Sequence, residues 1–143
     1  MKRQDWTLLA ISFANGRGLS AVQLQKALFL LERGVQSELN TSRFYHFSPY
    51  NYGPFDSTVY SDAEILSHEG LVNITKPTGR YTVYSVTPEG VAQAQELERQ
   101  ASPRAIKHLK DIVSWIQGLT FAQLVRAIYA RYPDMKKNSV FSF

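Results

Sequence analysis

Apolar residues recur at helical spacing in five places along the chain and run into strand-like patterns in only a few short stretches. Trp6, Leu9 and Phe13, near i, i+3, i+7, predict a first helix over 4–14. Asn15-Gly16-Arg17-Gly18 breaks it. Ser20, with Gln23 three residues on, has capping-box spacing and opens a second helix. There Leu24, Leu28, Leu31 and Val35 repeat along one stripe, widened by Phe29 and Leu30, which marks this helix as central to the core. Gly34 weakens its last turn. Residues 43–48 favour an extended strand through their aromatic content, and Pro49 ends it. After a sharp turn, Asp56 or Ser57 caps a third helix with Val59, Ala63 and Leu66 on one face, closed by Gly70.

Residues 71–75 and 81–86 then read as a hairpin with a basic tip, Lys76 and Arg80. Thr87-Pro88-Glu89 starts a fourth helix: a cap, a proline in the first turn and an acid near the positive end of the dipole. Ser102-Pro103 repeats the signal for a fifth, with Ile106, Leu109, Val113 and Ile116 on one face and Gly118 at its end. Thr120 caps a sixth helix, whose face holds Phe121, Leu124, Ile128 and Tyr132 and which Pro133 stops. The tail either packs back or stays loose. A helix closed by glycine and followed at once by a two-stranded hairpin is how a winged helix reads. The expected fold is therefore α+β, mostly α-helical and winged-helix-like, with a short antiparallel sheet and additional C-terminal helices. We expect one domain over 1–143, with a winged-helix-like core at 18–90 and a helical extension at 91–143.

Composition narrows the function classes. At 143 residues the chain is long enough for one real core. It has no cysteine, hence no disulfide, thiol nucleophile or thiolate metal site, which fits a reducing cytoplasm. The apolar run near the N-terminus is interrupted and lacks a small-residue cleavage site, which argues against a signal peptide. No apolar run approaches the ~18 residues of a membrane span. The net charge is +4, but unevenly spread: residues 44–75 carry Asp56, Asp62, Glu64 and Glu69 and no Lys or Arg. A third helix meant for the major groove would need cations, and this one offers only Ser, Thr, His and carboxylates. Lys76 and Arg80 could touch phosphate from the wing, and Arg104, Lys107 and Lys110 share a face of the fifth helix that also reads as an ordinary solvated face.

The densest chemistry lies in residues 44–55, where six phenylalanines and tyrosines, His46, two prolines and a glycine fill twelve positions. Tyr50, Tyr52 and Phe55 can form a rigid aromatic anchor for a protein partner, with Gly53 and Pro54 setting the turn. The alternative is a buried corner that fixes the third helix against the second. Asp62 and Glu64 add negative charge to the same candidate surface. No catalytic motif is present: His46, His68 and His108 fall on separate elements without metal-ligand spacing, and Glu96 and Glu98 diverge on a helix. His46 reads as a structural histidine of the aromatic strand. We expect no catalytic residue, no cofactor and no metal.

The run Leu24-Gln25-Lys26-Ala27-Leu28-Phe29-Leu30-Leu31, then Tyr52-Gly53-Pro54-Phe55, then Gly70-Leu71-Val72, resembles the Panacea or SocA-like antitoxin family. The resemblance covers roughly 18–90, and more loosely Tyr129–Asp134 with Lys137-Asn138-Ser139. It implies a mostly helical domain that binds toxins or other proteins and, in some members, acts as an adaptor for proteolysis. The expected function is a non-catalytic protein-binding module that covers a basic site on its partner. The alternative is a small winged-helix transcriptional regulator.

Overall fold

A computed structural model describes residues 1–41, 43–77 and 81–141. Its elements run α1 (Arg3–Phe13), β1 (Leu19–Ser20), α2 (Ala21–Val35), β2 (Ser48–Tyr50), β3 (Gly53–Phe55), α3 (Thr58–His68), β4 (Val72–Thr75), β5 (Val83–Val86), α4 (Pro88–Gln100), α5 (Pro103–Gln117) and α6 (Phe121–Arg131). The fold is the expected mostly helical α+β arrangement. One antiparallel sheet has the order β1-β5-β4, with Leu19 opposite Tyr84 and Val72 opposite Val86. The other is the separate hairpin β2-β3. In α1-β1-α2-α3-β4-β5, with β5 between β1 and β4, the chain follows winged-helix topology. The β2-β3 hairpin is inserted between the second and third helices of that unit. The tip residues 78–80, including Arg80, lie outside the described residues, so the expected basic tip is described only through Lys76.

Helix ends follow the local chemistry. Ser20 Oγ accepts from the Gln23 N–H at 3.2 Å while Gln23 Oε1 accepts from the Ser20 N–H at 2.9 Å, a complete capping box. Thr120 and Gln123 build a second one on α6. Thr87 and Ser102 accept from the N–H groups of Gly90 and Ala105 at the starts of α4 and α5. The third helix is capped by Asp56: its carboxylate accepts from the backbone and hydroxyl of Thr58 at 2.9 and 2.7 Å.

Burial departs from the simple stripes. In α1, every residue from Trp6 to Ile11 is buried, whereas Phe13 is only partly so. The helix packs against α2, α3, α4, α5 and β5, so that from Trp6 to Ile11 its whole circumference is interior. Trp6 donates its indole N–H to the Leu39 carbonyl at 2.8 Å, which satisfies the one polar atom of a fully buried ring. In α2, the buried set Leu24–Phe29 likewise takes in Gln25 and Lys26. α5 packs on α2, and α4 packs on α1.

Three sequence expectations are corrected. Residues 43–47 form no strand; the strand begins at Ser48 and pairs with Phe55 across an Asn51-Tyr52 turn. Pro49 does not end a strand but lies within one, directly opposite Pro54. Neither proline has an N–H to donate, so the pair occupies the non-hydrogen-bonded register position, where none is needed. His46 is exposed and not a buried member of a strand; its backbone N–H donates to Asp56 at 2.7 Å. Beyond these, β1 is a strand of two residues with no pattern of its own, defined only by its partner β5.

The fourth helix docks through Gly90. A Cβ there would lie 2.0 Å from the Leu71 carbonyl oxygen and 2.7 Å from a Val86 methyl. Thr87 fastens the same corner, its N–H donating to Leu71 O and its hydroxyl to Gly70 O. Helix propensity alone favours Gly90→Ala by roughly 1 kcal/mol. Backbone overlap predicts the opposite, a loss of about 2 kcal/mol or more, measured by urea denaturation. Gly16→Ala, where a Cβ meets nothing within 4 Å, should change stability by less than about 0.5 kcal/mol.

Candidate partner-binding site

The aromatic hairpin is held by two adjacent side chains of α2. Gln25 reads Asp56 twice: its amide N–H donates to the Asp56 carbonyl at 2.9 Å, and its Oε1 accepts from the Asp56 N–H at 3.0 Å. Lys26, 2% exposed, donates its ammonium to the Tyr52 carbonyl. The two contacts bracket β3, one before it and one after it. The left-handed φ of +109° at Gly53 presents that backbone to α2. A Cβ on Gly53 would stand 3.4 Å from the Tyr129 ring and 3.6 Å from the Lys26 nitrogen. Gly53 and Pro54 are therefore buried, and their role is to hold the turn down.

The side chains that the turn projects point outward. Tyr50 is 49% exposed and stacks on Phe55, with ring centroids 4.5 Å apart. Tyr52 is 41% exposed and meets Phe121 of α6 edge-on at 5.1 Å. Phe121 is itself exposed and touches Phe141 at 5.9 Å. On the other side Phe55 meets Tyr60 edge-on, and Tyr60 lies parallel to Tyr84 of β5. A cleft of about 240 Å³ opens between Tyr50, Phe55 and Tyr60 on one wall and Val22 and Gln25 of α2 on the other. The C-terminal tail packs back on the hairpin: Val140 donates its N–H to Asn51 O at 2.9 Å, and Asn138 donates to Pro49 O at 3.2 Å.

Of the seven residues read as partner-binding, Tyr50 and Tyr52 are exposed, Phe55 is half-buried beside them, and Gly53 and Pro54 lie beneath. Glu64 is exposed on α3. Asp62 is not part of this surface. It is buried, accepting from Arg3 Nε at 2.8 Å and from the Tyr45 hydroxyl at 2.7 Å, while Tyr45 is bonded in turn to Thr7. The spacing carried that signal, because position 62 falls three after Val59 and four before Leu66, on the inward stripe of α3. The residues missed by sequence reasoning are Phe121, which α6 brings alongside Tyr52, and the Gln25–Lys26 clamp. The outward face of α3 offers Ser61, Glu64, Ile65, His68 and Glu69, with no Lys or Arg.

The electrostatics follow from burial. Hydrogen bonds from Thr58 and His46 to Asp56 outweigh the burial that opposes its ionisation, and hold its carboxyl below the usual range. Burial pushes the Tyr45 hydroxyl far above the usual phenol range, and that of Tyr84 up to about 12. Burial brings Lys26 down to about 7. Among the described residues, no three His, Asp or Glu side chains converge so as to hold a metal ion, and no helix is long and apolar enough to cross a membrane. The fold and the site together define a winged-helix-like α+β domain carrying an aromatic hairpin. Compared with known protein families, with characterised proteins and with solved structures, the chain matches none.

The buried lysine predicts a pH dependence of stability. In the unfolded chain Lys26 keeps its proton until about pH 10.5, and in the folded protein it loses it near 7. Between those values the unfolded state binds more protons, so stability rises with pH. The gain from pH 7 to pH 9 should be roughly 2 kcal/mol by chemical denaturation, below the range where the tyrosines ionise. Lys26→Met should flatten the profile over that window; an unchanged slope in the variant would assign the dependence to other groups.

Proposed function

We infer that the protein is a non-catalytic protein-binding module, antitoxin-like or adaptor in type, that engages a partner protein through the aromatic hairpin. The observation that carries this reading is the split within one turn: its backbone is clamped to α2, while Tyr50 and Tyr52 stand half in solvent. Rings that pack only to fill a core would be covered. Large aromatic side chains on a pre-organised backbone lose little entropy on binding and are the residue types most enriched at energetic centres of interfaces. The adjoining Phe121 enlarges the anchor, and Glu64 on the neighbouring helix suits a basic partner, where charge would speed encounter more than deepen affinity. The resemblance of the Gln25–Lys26 and Tyr52-Gly53-Pro54 segments to the SocA-like antitoxins points the same way. A cytoplasmic site of action is part of this proposal.

The winged-helix topology favours a second reading, a DNA-binding regulator. The face of α3 that would enter the groove carries Glu64 and Glu69, and like charge opposes a phosphate backbone.

The test is affinity capture from the native cell with the wild-type protein and with a Tyr50→Ser, Tyr52→Ser double variant, followed by mass spectrometry. Both substitutions fall on exposed rings, so the melting temperature should hold within a few degrees. The variant should lose at least about tenfold of the specifically retained protein. Equal capture by both forms refutes the hairpin as the contact. In a mobility-shift titration, duplex binding that persists at physiological salt would instead favour the regulator.

A further inference from the structure

A second surface lies beyond the hairpin along α2, toward the C-terminal end of that helix. α2, α5 and α6 enclose a groove of about 370 Å³ with an apolar floor of Leu30, Ile112, Ala127 and Ile128. Trp115, 45% exposed, forms one wall. Past Gly34 and His108 the groove runs into a shallower channel of about 500 Å³ between the end of α2 and the first turns of α5. Gly34 leaves room at this junction for the His108 imidazole to pack against α2, since a Cβ there would stand 2.1 Å from His108 Nε2. The loss of helix propensity at Gly34 thus has a packing purpose.

The rim is cationic. Arg33, Arg104, Lys107 and Arg131 line the two sections; Asp111 is the one carboxylate among the lining residues, and Glu32 and Glu38 stand just outside, paired to Arg33 and Arg104. The Arg33 guanidinium lies over the rings of Phe29 and Tyr132, at 4.8 and 5.5 Å, so it is already oriented. Arg104 and Lys107 reach Glu38 and Asp111 through surface ion pairs, which are worth only ~0–1 kcal/mol and exchange readily for a ligand carboxylate. Arg131 is exposed and makes no ion pair among the described residues. From Pro103 to Trp115 the helix advances roughly 18 Å, the length of about five or six extended residues.

We propose that this groove binds an extended acidic peptide of another protein, with one large apolar side chain seated against Trp115 and Ile112 and carboxylates meeting Arg131 and the Arg104–Lys107 end. The proposal stands independently of the hairpin. It gives the domain two binding faces of different character, one aromatic and next to an acidic helix, the other basic.

Tryptophan emission tests it directly, because Trp115 is exposed and Trp6, the other indole, is fully buried. The probes are blocked hexapeptides of Asp and Glu with one central Leu, Phe or Trp (emission being read for the first two and competition for the third). At least one should give a saturable change that weakens as salt is raised, and Arg131→Glu should reduce its affinity at least about tenfold. Several results would overturn the proposal: no saturable response to any probe, equal binding of versions with Lys in place of the acids, or unchanged affinity in Arg131→Glu with native circular dichroism. Competition by inorganic phosphate at equal concentration would make it an anion site. Self-association abolished by Arg131→Glu would make the occupant a second copy of the chain.

Discussion

Gln25 and Lys26 leave α2 on its buried side, where water cannot satisfy them. A polar side chain in that position costs free energy unless it finds a partner, and a charged one costs more. The partners available are the backbone groups at either end of β3, and both side chains take them. The position of the hairpin is thus set by the need of α2 to satisfy its own polar atoms. That need explains why a Gln-Lys pair in a helix and a Tyr-Gly-Pro turn some 26 residues later belong together. Each is incomplete without the other, and glycine with its left-handed φ is what lets the turn come close enough.

The consequence for function is a turn that is rigid below and exposed above. Winged-helix topology would ordinarily direct attention to α3 and the β4-β5 hairpin. Here the inserted hairpin stands beside α3 and its aromatic rings spread on to α6, so the most distinctive surface lies outside the elements that define the topology. A fold of this kind hosts unrelated functions, and the chemistry of the surface has to decide between them. Carboxylates on the exposed face of α3 oppose nucleic acid and suit a basic protein surface, whereas the groove between α2, α5 and α6 has the opposite sign.

Local chemistry was legible in the sequence to the extent that it depends on neighbours in the chain. The capping boxes at Ser20 and Thr120, the starts at Thr87 and Ser102, and the stop at Gly70 all formed as their spacing implied. The six helices and the β4-β5 hairpin followed from periodicity and turn residues. The strand expected at 43–48 did not form, because aromatic content signals burial as readily as extension. Tyr45 buries its ring from an irregular segment, with Phe44 partly buried beside it, and the real hairpin lies beyond, around two prolines that read as breakers.

What the residues determined by themselves was the set of elements, the density of aromatics at one turn, and the acidic character of the third helix. Tertiary structure alone decided which of those groups face solvent. It turned Asp62 inward to Arg3 and Tyr45, and it paired the two-residue strand β1 with β5. It also sealed Lys26 beneath Tyr52 and brought Phe121 from the last helix to the same ring. The reason is physical: periodicity reports which face of an element is apolar, whereas the polar side chains that will be buried are those for which a distant part of the chain supplies a partner.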